Sequence, residues 1–174
     1  MRLLLAVFYL FFVVGCSFNS SQFNFVSNFF NKKSEVNAPK KNWMIEWDNK
    51  KIEIYAINLK NQIVFADENV NIFFNGEYIY KITGLLSSVT EINIKHDGNK
   101  VEYITDDQVI AKHLCESMKT SYTIESLTAK TQRCAQVSNK QEYTNEITLN
   151  SENMIISLIF VIHPDFPKIK ISKI

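Results

Sequence analysis

From Trp43 to the C-terminus, apolar and polar positions alternate with a period of two. Ile52, Ile54 and Ala56 alternate with Glu53 and Tyr55. Val70, Ile72 and Phe74 alternate with Asn71 and Phe73. After Asn75-Gly76, Tyr78, Tyr80 and Ile82 alternate with Glu77, Ile79 and Lys81. Residues two apart in an extended chain share a face, so each run predicts a strand with one face toward a core. Two such runs joined by Asn-Gly predict a hairpin. A type I′ turn needs positive φ at both central residues, and Asn75 and Gly76 tolerate it. A second hairpin is predicted where Ile92 and Ile94 run into His96-Asp97-Gly98-Asn99 and Val101, Tyr103 and Thr105 run out, with Asp97-Gly98 supplying the turn. Further strand-like runs occupy Tyr122–Leu127, Thr131–Val137, Tyr143–Leu149, Met154–Ile162 and Ile169–Ile174. Only Asp106–Met118 reads as a helix, from Val109, Ile110, His113 and Leu114 at helical spacing. The expected fold class is mainly β and antiparallel, with one or two short helices.

The N-terminus follows a different rule. Arg2 precedes an unbroken apolar run, Leu3–Val14, too short to span a bilayer and with no stop-transfer flank. It has the form of the apolar region of a secretory signal. The run ends in Val13-Val14-Gly15-Cys16, a lipobox in which the Cys16 thiol receives diacylglycerol. The alternative is an ordinary secreted protein with an incidental cysteine. The expected organisation is a removed signal (1–15), a lipid-anchored tether (16–41) and a single antiparallel β domain (42–174). Within the tether Phe23, Val26, Phe29 and Phe30 mark a short amphipathic helix. Its apolar face would pack on the domain's own core or meet the membrane surface or a partner.

Charge adds an exclusion. The chain has 19 Lys+Arg against 18 Asp+Glu, so bulk electrostatics give no hold on nucleic acid or another acidic polymer. Beyond the signal, two cysteines remain, Cys115 and Cys134. In an oxidising compartment they are expected to form a disulfide contributing about 3 kcal/mol by loop closure. The competing reading is a metal site with His113, but no second Cys or His pair stands at zinc spacing.

Motifs for chemistry are sparse. The sequence has no Gly-x-Ser-x-Gly, no His-Glu-x-x-His and only four glycines, too few for a phosphate loop. His96 is placed in a solvated turn and His163 at a strand end. Asp67-Glu68 and Asp106-Asp107 are adjacent pairs whose side chains would diverge on a strand, which favours turn or cap roles. Trp43, Trp47, Tyr55, Tyr78, Tyr80 and Tyr103 would either line a sugar-binding face or serve as core and cross-strand pairs. No catalytic residue, cofactor or metal is assigned.

The stretch Gln62–Leu85, with Asn75-Gly76 and Lys81-Ile82-Thr83-Gly84-Leu85, resembles the characteristic segment of YjbF/GfcB-type lipoproteins. Met154–Ile162, Pro164, Pro167 and Ile169–Ile174 resemble that family's closing strand pair. Glu77 stands where the family usually has Arg, and Ile155, Ile156 and Leu158 stand where it often has Trp and Arg. The resemblance implies a large curved antiparallel sheet, half-barrel or barrel-like sandwich. It also implies an outer-membrane lipoprotein facing the periplasm, acting without catalysis in capsule or exopolysaccharide assembly or export. The implied partners are polysaccharide-export proteins or the glycan. Ser17 after the lipid cysteine agrees with outer-membrane sorting, since it is not the aspartate of inner-membrane retention. A periplasmic glycan-modifying enzyme and a carrier of an apolar ligand are the alternatives. The inward face discriminates: filled rows mean a core, an open apolar trough a carrier, and convergent carboxylates an enzyme.

Overall fold

The computed structural model describes residues 40–86, 89–124, 126–162 and 168–174. The signal, Cys16 and the Phe23–Phe30 stretch lie outside the described residues, as do His163, Pro164 and Pro167. The strands are β1 Trp43–Trp47, β2 Lys50–Leu59, β3 Gln62–Ala66, β4 Asn71–Phe74, β5 Ile79–Leu86, β6 Val89–Asp97 and β7 Lys100–Thr105. They continue as β8 Gln108–Cys115, β9 Lys119–Ile124, β10 Leu127–Gln136, β11 Glu142–Leu149, β12 Ile155–Phe160 and β13 Ile169–Lys173.

All pairings are antiparallel, and twelve strands close a barrel in the order β11-β12-β13-β1-β2-β3-β4-β5-β6-β7-β8-β10, with β10 returning to β11. The thirteenth, β9, adds to β10 alone. Inward positions carry Ile45, Ile54, Phe65, Ile72, Phe74, Ile82, Ile92, Leu158 and Ile171, all buried in one core. A round barrel of twelve strands would enclose a wide lumen. Here Phe74 of β4 and Phe160 of β12, almost opposite each other in the ring, meet edge to face with centroids 6.2 Å apart. The barrel is therefore flattened, and its walls fill the interior as in a sandwich.

Turn chemistry sets the register. Asp48-Asn49 (φ 46° and 61°) and Asp106-Asp107 (φ 49° and 60°) have positive φ at both central positions, as a two-residue I′ hairpin requires. The expected hairpin turns differ in detail. Gly76 has φ 100°, but Asn75 keeps a negative φ and works through its side chain. Its Oδ1 accepts hydrogen bonds from the backbone N–H of Glu77 (3.0 Å) and Tyr78 (2.9 Å). The loop is thus an Asx turn of four residues, not a two-residue I′ turn. In the second hairpin Asp97 pairs with Lys100, so the turn residues are Gly98 (φ 59°) and Asn99, one place later than predicted.

The predicted helix over Asp106–Met118 is a strand, β8. A bulge opposite Tyr103/Ile104 puts both Val109 and Ile110 at the surface, and the inward residues are Ala111, His113 and Cys115. Adjacent apolar residues at a bulge imitate the helical spacing. Gly84, in β5, has φ 73°, and a Cβ there would lie 1.6 Å from the Asn69 carbonyl oxygen. Only glycine fits that close approach of two backbones.

Candidate functional site

The barrel closes between β8 and β10, and the seam is short. Cys134 pairs with Cys115, Ala135 with Leu114 and Gln136 with His113. Cys115 and Cys134 are joined across it by a disulfide, with Cα atoms 4.0 Å apart. Beneath the seam lies a group of buried polar side chains within the otherwise aliphatic core: His113, Gln132 and Asn145, with the hydroxyls of Tyr103 and Tyr143.

The hydrogen bonds fix where the protons are. Tyr103 Oη donates to the Val161 carbonyl at 3.0 Å, because a carbonyl can only accept. With its proton spent, the Tyr103 oxygen accepts from Tyr143 Oη at 3.3 Å. The Tyr143 oxygen must then accept from His113 Nδ1–H, with which it is in hydrogen-bond contact. The chain therefore runs in one direction, and His113 is the Nδ1–H tautomer. Its Nε2 is left as a buried lone pair without a protein partner. Orphaned acceptors are tolerated better than orphaned donors, which agrees with that tautomer.

Burial keeps the group uncharged. It lowers the His113 imidazole to about 4. Burial likewise pushes the Tyr143 hydroxyl up to about 12 and Tyr103 well above its ordinary value. At neutral pH all three are neutral, and among the described residues no carboxylate joins them in a hydrogen bond. Asn145 Nδ2 donates to Gln132 Oε1 (3.2 Å), Gln132 Nε2 donates to the Glu116 carbonyl (3.0 Å), and Val161 N–H donates to Asn145 Oδ1 (3.0 Å). The network thus holds the Val161 backbone through both its N–H and its carbonyl. A cavity of about 10 Å³, lined by Tyr103, Tyr143, Asn145 and Cys115 among others, is the size of one water. Such a group specifies packing, and the cavity beside it has room for a water but not for a substrate.

On the outer side of the same seam runs an open groove of about 490 Å³, lined by Leu114, Glu116, Arg133, Ala135, Glu142 and Thr144. Leu114 is exposed there on β8, and Val137, just past the end of β10, is exposed as well.

The other residues singled out from sequence do not converge. His96 is not a solvated turn residue: it lies in β6, stacks on Tyr78 at 3.6 Å between centroids, and burial lowers it to about 4. Trp43 and Tyr103 are core, and Trp43 packs edge to face on Phe65. Tyr55 and Tyr80 are only half-buried; Lys41 sits over the Tyr55 ring and Phe73 beside Tyr80. Asp67 caps its own turn through N–H to Val70 O and pairs with Lys41 at 2.7 Å. Among the described residues no group of three His, Cys, Asp or Glu side chains could hold a metal. The buried network was not visible in sequence, since His113 and Tyr143 are 30 residues apart and Tyr103 and Val161 are 58 apart.

No family model matches the chain, and no curated protein matches it. Among solved structures, the crystal structure of the hypothetical lipoprotein YmcC from Escherichia coli (K12) is similar, with a TM-score of 0.56 at 8% identity. The match covers 91% of this chain and 98% of that one. The chain thus shares the fold of a hypothetical lipoprotein over most of both lengths.

Proposed function

We propose that the chain is an envelope lipoprotein, acylated at Cys16, whose barrel acts without catalysis as an accessory factor in capsule or exopolysaccharide assembly or export. The observation that carries the lipoprotein reading is the fold shared along nearly the whole of YmcC, taken with the lipobox in this sequence. The pathway, the outer membrane and the periplasmic orientation rest on the resemblance of Gln62–Leu85 to YjbF/GfcB-type lipoproteins and on Ser17. The inward rows favour this reading over a carrier, because they are packed Ile and Phe with opposing walls in contact. The network under the seam favours it over an enzyme, because it is buried beside a cavity of only about 10 Å³, too small for a substrate. The partner would be a polysaccharide-export protein or the glycan itself.

The test is deletion of the gene and measurement of surface polysaccharide by uronic-acid assay and by electron microscopy of the capsule. Reduced polysaccharide, restored by the wild-type gene, is the expected result. Unchanged polysaccharide would reject the pathway.

A further inference from the structure

Turns at a barrel rim are usually built from polar residues and glycine. Two neighbouring turns here also expose aliphatic side chains. Leu127 opens β10 opposite Ile124 of β9, and the two are 41% and 60% exposed. Thr128, the next residue, pairs with Leu149 of β11, which pairs in turn with Ile155 of β12. The β11–β12 turn is therefore the neighbour of the β9–β10 tip. It ends in Met154, 47% exposed, whose carbonyl accepts from the Asn150 N–H. The strand register extends the same rim further. Ser157 of β12 pairs with Ser172 of β13, Lys173 pairs with Trp43 of β1, and the Ile174 N–H donates to the Asn42 carbonyl. The arc thus runs from Ile124 to Asn42, beside Lys40, where the described chain begins. Other exposed aliphatics are placed differently. Val109 and Ile110 lie at the far end of β8, just after the Asp106-Asp107 turn, whose carboxylates would repel an anionic surface. Leu114 lines the groove over the seam.

We propose that this arc is a membrane-contacting rim, where Ile124, Leu127 and Met154 enter the interface of the bilayer that anchors Cys16. The inference rests on the acylation of Cys16 and adds a second contact to it. The tether selects lipid over a protein as the occupant. Residues 16–39 join the acylated cysteine to Lys40, so the rim beside Asn42 is the one drawn to the bilayer surface. Lys130 and Lys173, both exposed, border the arc and suit lipid phosphates. An exposed carboxylate, Glu152, lies in the β11–β12 turn, so the contact is shallow. Three aliphatic side chains are too few to hold a free protein on a bilayer, since even a single myristoyl chain binds only marginally. Acylation makes their partition intramolecular, and a weak contact then becomes an occupied one. The consequence is orientation: the barrel stands with this rim on the membrane and the Asp48-Asn49 and Asp106-Asp107 turns away from it.

The experiment uses the full chain, expressed with its own signal, purified from membranes and reconstituted in phosphatidylethanolamine–phosphatidylglycerol vesicles. Leu127→Cys, Met154→Cys and, as control at the opposite rim, Gln108→Cys each supply one thiol for an NBD fluorophore. Acylation and the disulfide block the native cysteines. All three positions are exposed, and the urea midpoint of each labelled variant shows that folding is kept. Flotation with the vesicles reports the anchor; emission wavelength and quenching by brominated lipid report the rim. Labels at 127 and 154 should emit further to the blue than the control and lose intensity by about twofold or more in brominated vesicles, with the control unchanged. Adding Cys16→Ser should abolish both flotation and quenching. Wild-type chain that fails to float rejects the acylation, and the rim contact with it. Floating protein with unquenched labels at 127 and 154 rejects the rim contact and leaves the acylation standing. A blue shift without quenching places those side chains against protein, a second copy or another chain, and rejects the rim contact too.

Discussion

Acidification is expected to weaken the fold through one buried imidazole. Folded His113 takes up its second proton only near pH 4, against an ordinary value of 6.5, and burial is the cause. Between those values the unfolded chain binds more protons than the folded one. The stabilisation is complete above pH 6.5 and is lost as the pH falls. At pH 5 the loss through this one group is about 2 kcal/mol, rising to about 3 kcal/mol near pH 4. Glu46, hydrogen-bonded to Lys51, and Glu116, hydrogen-bonded to Lys119, are held below 4.5, so their own loss sets in mainly below about pH 5 and is common to wild type and variant. The assay is urea unfolding followed by Trp43 and Trp47 fluorescence at about pH 7.5 and about pH 5, on the wild type and His113→Phe. With a urea slope of about 2 kcal/mol per molar, the wild-type midpoint should fall by about 1 M more than that of the variant. His96 titrates in the same range but is present in both proteins, so the comparison cancels it. At pH 7.5 the variant should be weaker by about 1 kcal/mol, the hydrogen bond to Tyr143. If both proteins lose the same stability between the two pH values, His113 is not buried as a neutral group and the proton order derived for the network fails.

Gly84→Ala should destabilise by on the order of 3 kcal/mol or more, because its Cβ would collide with the Asn69 carbonyl; Gly76→Ala, which meets nothing within 4 Å, should lose only about 1 kcal/mol to its positive φ. Urea midpoints of the two variants, expected in that order, check the close approach of Gly84 to the Asn69 backbone. Replacing Cys115 and Cys134 together by alanine should remove about 3 kcal/mol. Thiol titration of the denatured, unreduced protein should find both cysteines blocked, and two free thiols would reject the disulfide. Cys16→Ser should abolish incorporation of labelled palmitate, and label in that variant would sink the lipobox assignment.

Sequence reading succeeds here where the information is local. Alternation located β2, β4, β6 and β7, because each has one inward face of Ile, Phe or Val; it located β5 too, but a bulge opposite Phe73/Phe74 buries Ile79 together with Ile82 and leaves Tyr80 half-buried, against the predicted grouping. It failed at β8, whose inward residues are Ala111, His113 and Cys115 while Ile110 and Leu114 face water. That inversion removes the signal on which alternation depends, and the bulge opposite Tyr103/Ile104 supplies a false helical one. It also erred by one residue at Gly98-Asn99, since Asp, Gly and Asn all tolerate turn geometry and the ladder decides among them. Closure was out of reach for a different reason. It rests on β10 changing partners, from β9 over its first half to β8 over its second, and no short pattern encodes a change of partner. The candidate site shared that fate, because its polar side chains come from β7, β8, β10 and β11.

The partner change on β10 also says what the disulfide is for. Three residue pairs close the ring between β8 and β10, and Cys115–Cys134 is the pair at the rim, next to the point where β10 leaves β9 for β8. Just beyond it the Glu116 N–H donates to the Arg133 carbonyl and Gln132 Nε2 donates to the Glu116 carbonyl, so both sides of the junction are fixed. Both sulfurs are buried at the end of the same core as the Ile and Phe rows, so the bond ties that core to the seam. What a covalent tie there does restrict is the direction in which the β9–β10 hairpin leaves the rim. An edge held in one direction loses less conformational entropy when it pairs with another strand. The seam thus ties the buried polar group beneath it to the strand, β9, whose outer edge pairs with no other strand among the described residues.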